Sequence, residues 1–236
     1  MRCIQELDEE LFEEIDQRRT EAVMDDQPRP DVLSMLVRAR HEDERAISNE
    51  ELRDELVTLL VAGHETTSGA LALAIEEIIR VPEVVDRLQR AATENDDHYL
   101  EAVVREALRR KPVLPIIGRK LSRSARLGAY VLPKGAVLMP CPYLLHHESA
   151  IYPEPHQFRP ERFLERPQGA YTWIPFGGGV RRCVGARFAL MQMKVVLKAM
   201  FERLEVRPGG PPEPVRRRSV SVAPAKGGQV IVETRS

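Results

Sequence analysis

The chain has 236 residues, 43% of them hydrophobic, enough for a sizeable core in one or two ordinary domains. Its 35 basic and 36 acidic side chains leave a net charge of −1, so nothing points to a nucleic-acid partner or an acidic substrate. Three cysteines give no disulfide framework, the N-terminus has no apolar signal region, and no unbroken apolar run approaches the ~18 residues of a membrane span, which together point to a soluble, cytoplasmic chain.

Residues Leu7 to Met24 read as a charged amphipathic helix, followed by a polar link through Pro28 and Pro30. A short helix then carries Val32, Leu33, Met35, Leu36 and Val37. Ser48 and Glu51 stand three apart as a capping box. They open an unusually long helix that runs to about Arg80. Pro82 suits the first turn of the next helix, and a further helix runs from about His98 to Arg110, stopped by Pro112.

Beyond Pro112 the texture changes to short strands and turns. Leu132-Pro133-Lys134-Gly135 places Pro and Gly as a β-turn wants them, between strands Gly128–Val131 and Ala136–Met139. From Pro140 to Pro175 seven prolines and no helical period indicate an ordered meander. A strongly patterned helix follows, with apolar steps of three and four from Ala186 to Leu204 and an end near Val206. The tail, Ser219–Ala223 and Gln229–Thr234 around Gly227-Gly228, reads as a hairpin, and Arg216-Arg217-Arg218 as a solvated strand start. The class is mainly α with small β-sheets.

The most informative stretch is Phe176-Gly177-Gly178-Gly179-Val180-Arg181-Arg182-Cys183-Val184-Gly185. It sets Cys183 at the start of a helix, where unpaired N–H groups and the helix dipole favour an anion. A thiolate there is stabilised and ready to ligate a metal. The glycines let the backbone turn tightly near the sulfur, and Arg181 adds a positive charge suited to a ligand carboxylate. A tight turn around a buried cysteine is the plain alternative. Phosphate binding lacks the following Gly-Lys-Ser/Thr, and Cys3, Cys141 and Cys183 are too scattered for zinc.

Two further motifs accompany the loop. Ala62-Gly63-His64-Glu65-Thr66-Thr67-Ser68 interrupts the long helical pattern. Gly63 and Gly69 each cost a helix ~1 kcal/mol relative to Ala, and a Thr66 hydroxyl turned to the carbonyl of Ala62 would loosen the helix there. Glu106-Ala107-Leu108-Arg109 places two opposite charges on one helix face, and Phe158-Arg159-Pro160-Glu161-Arg162-Phe163 precedes the cysteine loop. The adjacent His146 and His147 point differently, which favours turn or strand roles over a metal.

In this order and spacing, the set resembles the C-terminal half of the cytochrome P-450 family of haem-thiolate monooxygenases, from about Asp31 to about Glu233. The cysteine loop matches the pattern Phe-x-x-Gly-x-Arg-x-Cys-x-Gly at every fixed position, through Phe176, Gly179, Arg181, Cys183 and Gly185. The resemblance implies a single domain over 1–236 whose early helices and substrate lid are missing. It implies haem b with Cys183 as the iron ligand, Phe176 beside the sulfur excluding water, and loop backbone from Gly177 to Gly185 against the haem. Arg181 and Arg119 are implied to pair with propionates. Glu65 and Thr66 are implied as an acid–alcohol proton relay, and Glu106, Arg109 and Arg162 as a structural ion network. Trp173 and Pro175 are expected to pack the loop.

The implied reaction inserts one oxygen atom of O2 into a small organic substrate, with electrons from a ferredoxin- or reductase-type donor. The pocket-lining segments present are Ala62–Ser68, Val113–Ile117 and Ser219–Ala223. Without the covering helices, apolar surface at Leu71, Leu73, Ile75 and Ile78 is expected to be exposed. A truncated haem-binding or non-catalytic fragment is the alternative.

Overall fold

A computed structural model of the chain describes residues 2–24, 29–166 and 168–235, with side chains from residue 5 onward. Most of the expected link at 25–30, the side chain of Cys3 and Pro167 lie outside the described residues. The chain forms two compact units, Met1–His64 and Glu65–Ser236.

The first unit holds helices α1 (Arg2–Met24) and α2 (Val32–Arg38) and the start of α3 (Asn49–Ile78). Ile15, Leu33, Val37 and Leu52 form its small core. The Asp31 carboxylate caps α2 by accepting the Ser34 N–H at 2.8 Å. The capping box at the start of α3 is reciprocal. The Glu51 N–H donates to Ser48 Oγ at 3.1 Å, and the Ser48 N–H donates to Glu51 Oε2 at 2.7 Å. Those two bonds satisfy donors that a helix start leaves open.

Helix α3 runs without a break through Ala62–Ser68. The expected interruption is absent, because two isolated glycines cost too little to end a 30-residue helix. Among the described residues α3 is also the one helix long and apolar enough to cross a membrane by length and composition.

The second unit is built around α4 (Pro82–Glu94), α5 (Asp97–Arg110) and α8 (Ala186–Arg203). Pro82 sits in the first turn of α4, and the Asp96 side chain caps α5. Met193, Leu197 and Phe201 fall four apart on α8, so one face meets Leu88 and Ala91 of α4 and Leu100, Val103 and Val104 of α5. Each large side chain buried there stabilises the unit by ~1.5–3 kcal/mol. Ile78 is buried in this same core, with Leu71 and Ile75 packed against it, and Leu73 is buried as well. The expected exposure at those positions is not found, because Leu71, Ile75 and Ile78 pack into the core of the second unit and Leu73 is buried too. Leu59, Leu60 and Val61, on the preceding turns, are exposed instead.

The strands pair over longer distances than the turns suggested. β1 (Arg119–Lys120) pairs with β4 (Val137–Leu138), and β2 (Ala125–Leu127) pairs with β3 (Tyr130–Leu132). The Pro133–Gly135 turn forms, with Gly135 at φ 88, but its flanking strands pair elsewhere. The meander is not free of helix, since α6 (Pro142–His146) and α7 (Arg162–Glu165) are short helices within it.

Helix α8 ends at Arg203 rather than near Val206, passing directly into β5 (Leu204–Pro208). The expected terminal hairpin is absent. β6 (Val215–Arg218) pairs with β7 (Ser221–Pro224), while β8 (Val230–Thr234) returns to β5. Ser219, at φ 52, makes the tight turn between β6 and β7. The Glu213 carboxylate collects the N–H groups of Lys226 (2.7 Å) and Gln229 (2.9 Å), which turns the Gly227-Gly228 segment away from a hairpin. The three arginines of β6 are all exposed, as a solvated strand requires.

Candidate haem-thiolate site

The cysteine loop leaves Pro175, which is buried, and bends through Gly177 and Gly179 at φ 71 and 66. Such angles suit glycine alone without strain. A short 3-10 turn, Gly179–Arg181, follows, and the Cys183 N–H donates to the Phe176 carbonyl at 3.0 Å. Cys183 is exposed and free. Gly185 caps α8 without any side-chain acceptor, so the first-turn N–H groups stay available to an anion beside them. A Cβ at Gly185 would stand 3.9 Å from Cys183 Sγ, so glycine keeps the sulfur's surroundings open.

Phe176 is partly buried against the core of the second unit. Its ring lies edge-on to Trp173 with centroids 6.0 Å apart, and Cys183 remains exposed. Trp173 packs the loop as expected, its indole N–H donating to the Arg105 carbonyl at 3.2 Å.

Arg119 comes to the same loop. A Cβ at Gly177 would meet Ile117 Cδ1 at 3.5 Å and Arg119 Nη2 at 4.0 Å, so the guanidinium lies against the glycine turn. Arg181 is exposed on the other limb of the loop, with no ion pair among the described residues. Val180 and Val184 flank the cysteine in sequence and are almost wholly exposed.

These features fit a haem. The loop offers one accessible sulfur, uncovered apolar side chains and a guanidinium on either limb. Among the described residues no group of three or more His, Cys, Asp or Glu could hold a metal ion.

Glu65, one of the two residues expected to form a relay, lies against Ser221 in the third expected pocket segment. Glu65 Oε1 accepts a hydrogen bond from the Ser221 hydroxyl at 2.9 Å, and Ser221 itself is buried. Gly69 lies where a Cβ would touch Val113 Cγ2 and the Val222 carbonyl, each at 3.4 Å. The Val222 N–H donates to the Val113 carbonyl at 2.9 Å. Glu65–Gly69, Val113 and Ser221–Val222 thus converge. Sequence reasoning missed Ser221 as a partner of Glu65, because nothing local links residues 156 apart.

The ion network is assembled. Glu106 and Arg109 are fully buried and Arg162 nearly so. Arg109 donates to Glu106 through Nε at 2.7 Å and Nη2 at 2.9 Å, a bidentate pair. Arg162 Nε reaches Glu106 Oε1 at 3.2 Å, and the Arg159 N–H donates to the same oxygen at 2.9 Å. Arg162 also donates to the Pro153 carbonyl at 3.1 Å and Arg109 to that of Pro155 at 2.9 Å. One carboxylate therefore ties α5 to the meander.

Beside the loop lies a hollow of about 620 Å³ lined by Arg105, Arg182, Arg187 and Lys194, with Glu101 as its carboxylate. Arg105 pairs with Glu101 and Lys194 with Asp97. Arg182 and Arg187 have no ion pair among the described residues, which leaves the hollow positive.

Comparison with known proteins agrees with this geometry. A sequence profile of the family Cytochrome P-450 matches residues 1–232, a span that starts earlier than the resemblance in the motifs. Cytochrome P-450 135B1 of Mycobacterium bovis is 42% identical over 211 residues, covering 87% of this chain and 44% of that protein. Cytochrome P-450 135A1 of Mycobacterium tuberculosis is 40% identical over 223 residues, covering 94% and 49%. Cytochrome P-450 137 of the same species is 37% identical over 227 residues, covering 95% and 47%. The chain belongs to the cytochrome P-450 family, which is a family of haem-thiolate monooxygenases. It spans about half the length of the curated relatives it matches.

Proposed function

We propose that this chain carries the thiolate and proton-relay side of a monooxygenase that inserts one oxygen atom of O2 into a small organic substrate. The observation that carries the reading is Cys183, exposed at the start of α8 on a glycine turn. Cys183 would ligate the iron of a haem b, with Arg119 and Arg181 beside its propionates. A thiolate ligand pushes electron density onto haem iron and favours O–O bond cleavage. Loop N–H groups around Val184 and Gly185 would orient and tune the sulfur.

Glu65 and Thr66 would deliver protons so that the second oxygen atom leaves as water. Ser221, whose hydroxyl lies 2.9 Å from both Glu65 Oε1 and the Arg218 carbonyl, would help to hold that carboxylate. Electrons would come from a ferredoxin- or reductase-type protein. The positive hollow beside the cysteine loop suits an acidic face on that donor. Among the described residues Cys141 and Cys183 are free thiols, which suits a cytoplasmic setting.

The second reading is haem binding without turnover, favoured by the exposure of Cys183, Val180 and Val184. A site open to bulk water would lack the water exclusion that a closed pocket supplies. The Glu65–Ser221 bond weighs against it, since a haem carrier has no need of a held carboxylate.

The test is the reduced, carbon monoxide-bound absorbance spectrum of the haem-titrated chain. A thiolate-type spectrum lost in Cys183→Ala and kept in Cys141→Ala is expected. Loss in Cys141→Ala with retention in Cys183→Ala would overturn the ligand assignment.

A further inference from the structure

Of the two adjacent histidines, His147 is half-buried and stacks on Tyr143 with centroids 4.2 Å apart. His146 is fully buried, and its hydrogen bonds fix its tautomer. Nδ1 lies 3.2 Å from the Arg109 carbonyl, which can only accept, so Nδ1 carries the proton. Nε2 lies 2.9 Å from the Ile174 N–H, which can only donate, so Nε2 is bare. The ring is neutral and bridges two backbone groups that are distant in sequence.

Both ends of this bridge lead onward. Arg109 donates Nη1 to the His146 carbonyl at 2.7 Å while its other nitrogens hold Glu106. On the far side, the Gly177 N–H returns to the Ile174 carbonyl at 3.0 Å, closing the turn that opens the cysteine loop. The Cys183 N–H then returns to the Phe176 carbonyl at 3.0 Å. A continuous set of hydrogen bonds and peptide planes therefore runs from the buried ion network to the cysteine.

We infer that His146 is a positioning residue for the cysteine loop. It transmits the fixed orientation of the Glu106–Arg109 pair through Ile174 to the turn that presents Cys183. The imidazole suits the task because its donor and acceptor stand on opposite sides of one rigid ring, so it spans the gap without loss of torsional freedom at either bond. The inference rests on the reading of Cys183 as the iron ligand for its functional meaning, and on the hydrogen bonds alone for its mechanics.

A histidine that merely fills the core predicts that both of its bonds matter alike. Two amide variants separate the cases. The side-chain amide of Asn reaches the Nδ1 position and keeps the bond to Arg109. That of Gln reaches the Nε2 position and keeps the acceptor for Ile174. Each variant loses one neutral hydrogen bond, and a loss near the upper end of the usual ~0.5–1.5 kcal/mol range is about tenfold in a local opening equilibrium.

Hydrogen exchange of the amides of Ile174, Gly177 and Cys183 is measured by mass spectrometry on the 236-residue chain, with far-UV circular dichroism as the check on folding. In His146→Asn, exchange of all three is expected to rise about tenfold, and alkylation of Cys183 by iodoacetamide to change with it. In His146→Gln, both stay near those of the parent. Equal responses in the two variants, or none in either, would overturn the inference.

If His146→Asn does not fold, the unaltered chain decides in increasing urea. Exchange at Ile174, Gly177 and Cys183 that accelerates together supports one mechanical unit, and independent exchange at Ile174 refutes it. The reduced carbon monoxide spectrum of Cys183→Ala reads the ligand assignment separately, so failure of either claim leaves the other standing.

Discussion

Replacing Glu106 with Gln should destabilise the second unit far more than its small change in shape suggests. Glu106 is fully buried, and its carboxylate faces two guanidinium groups and one backbone N–H. Glutamine keeps one acceptor oxygen, removes the charge, and turns a donor amide onto an arginine donor. Arg109 and Arg162 are then buried cations with no anion between them. Burial already pushes the Arg162 guanidinium below its ordinary range, which shows the strain of holding that charge here. Removing one partner of a buried ion pair costs ~3–5 kcal/mol. The retained bonds to the carbonyls of His146, Pro153 and Pro155 argue for the lower end, ~3 kcal/mol.

That loss is a large share of the ~5–15 kcal/mol that holds a typical domain. With a urea dependence of ~1–3 kcal/mol/M, the unfolding midpoint should drop by on the order of 1–3 M. The control is Glu233→Gln, whose partner Arg207 and own side chain are 58% and 57% exposed. Such exposed pairs contribute at most ~1 kcal/mol. If Glu106→Gln costs no more than Glu233→Gln in urea titrations followed by circular dichroism, the network does not hold the meander and the reasoning fails.

Three further outcomes are expected. The Ser48 N–H, then Arg45 and His41, hold the Glu51 carboxyl at about 2 against an ordinary 4.5, so this stabilisation is complete above pH 4.5 and lost as pH falls through 2. Glu51→Gln should remove that part of the acid-induced loss of helix seen by circular dichroism, and an unchanged acid profile would count against the cap. Burial, assisted by the neighbouring Arg109 charge, pushes His146 down to about 4 from 6.5, so below pH 6.5 the unfolded chain takes up a proton that the folded chain refuses. Stability should fall between pH 6.5 and 4, and His146→Gln should flatten that slope in urea titrations at a series of pH values. In a chain that turns over, Thr66→Ala and Ser221→Ala should each raise electron consumption per product while leaving the reduced carbon monoxide spectrum intact, and unchanged coupling in both would reduce Glu65–Thr66 to a structural feature.

What the sequence made legible was local. The Ser48–Glu51 cap, Pro82 at the start of α4 and the period of α8 are interactions within four residues, and each formed as the pattern required. The Glu106–Arg109 pair was legible from its helix spacing, but Arg162 only through the family resemblance, since 56 residues separate it from Glu106. The strand partners were not legible at all. Gly227-Gly228 looked like the centre of a hairpin, yet Glu213 captures the N–H groups there and β8 finds β5, laid down before it. His146 looked like a turn residue because its two partners, Arg109 and Ile174, lie on opposite sides of it in the chain.

The contacts of the ion network, of His146 and of Glu65 all trace back to the C-terminal end of α5 and the residues just after it. Arg109 reaches back to Glu106 and out to His146, and through Ile174 toward the cysteine loop. Four residues later the Val113 carbonyl takes the Val222 N–H, and the neighbouring Ser221 holds Glu65. The cysteine loop and Glu65 are therefore both linked through hydrogen bonds to the backbone between Arg109 and Val113. Pro112, which lacks an N–H and fixes its own φ, makes that junction stiff and stops the helix from continuing through it. A buried ion network that is a poor source of stability compared with apolar packing makes physical sense at such a junction. Its value lies in fixing direction, because a bidentate arginine–carboxylate pair tolerates little rotation.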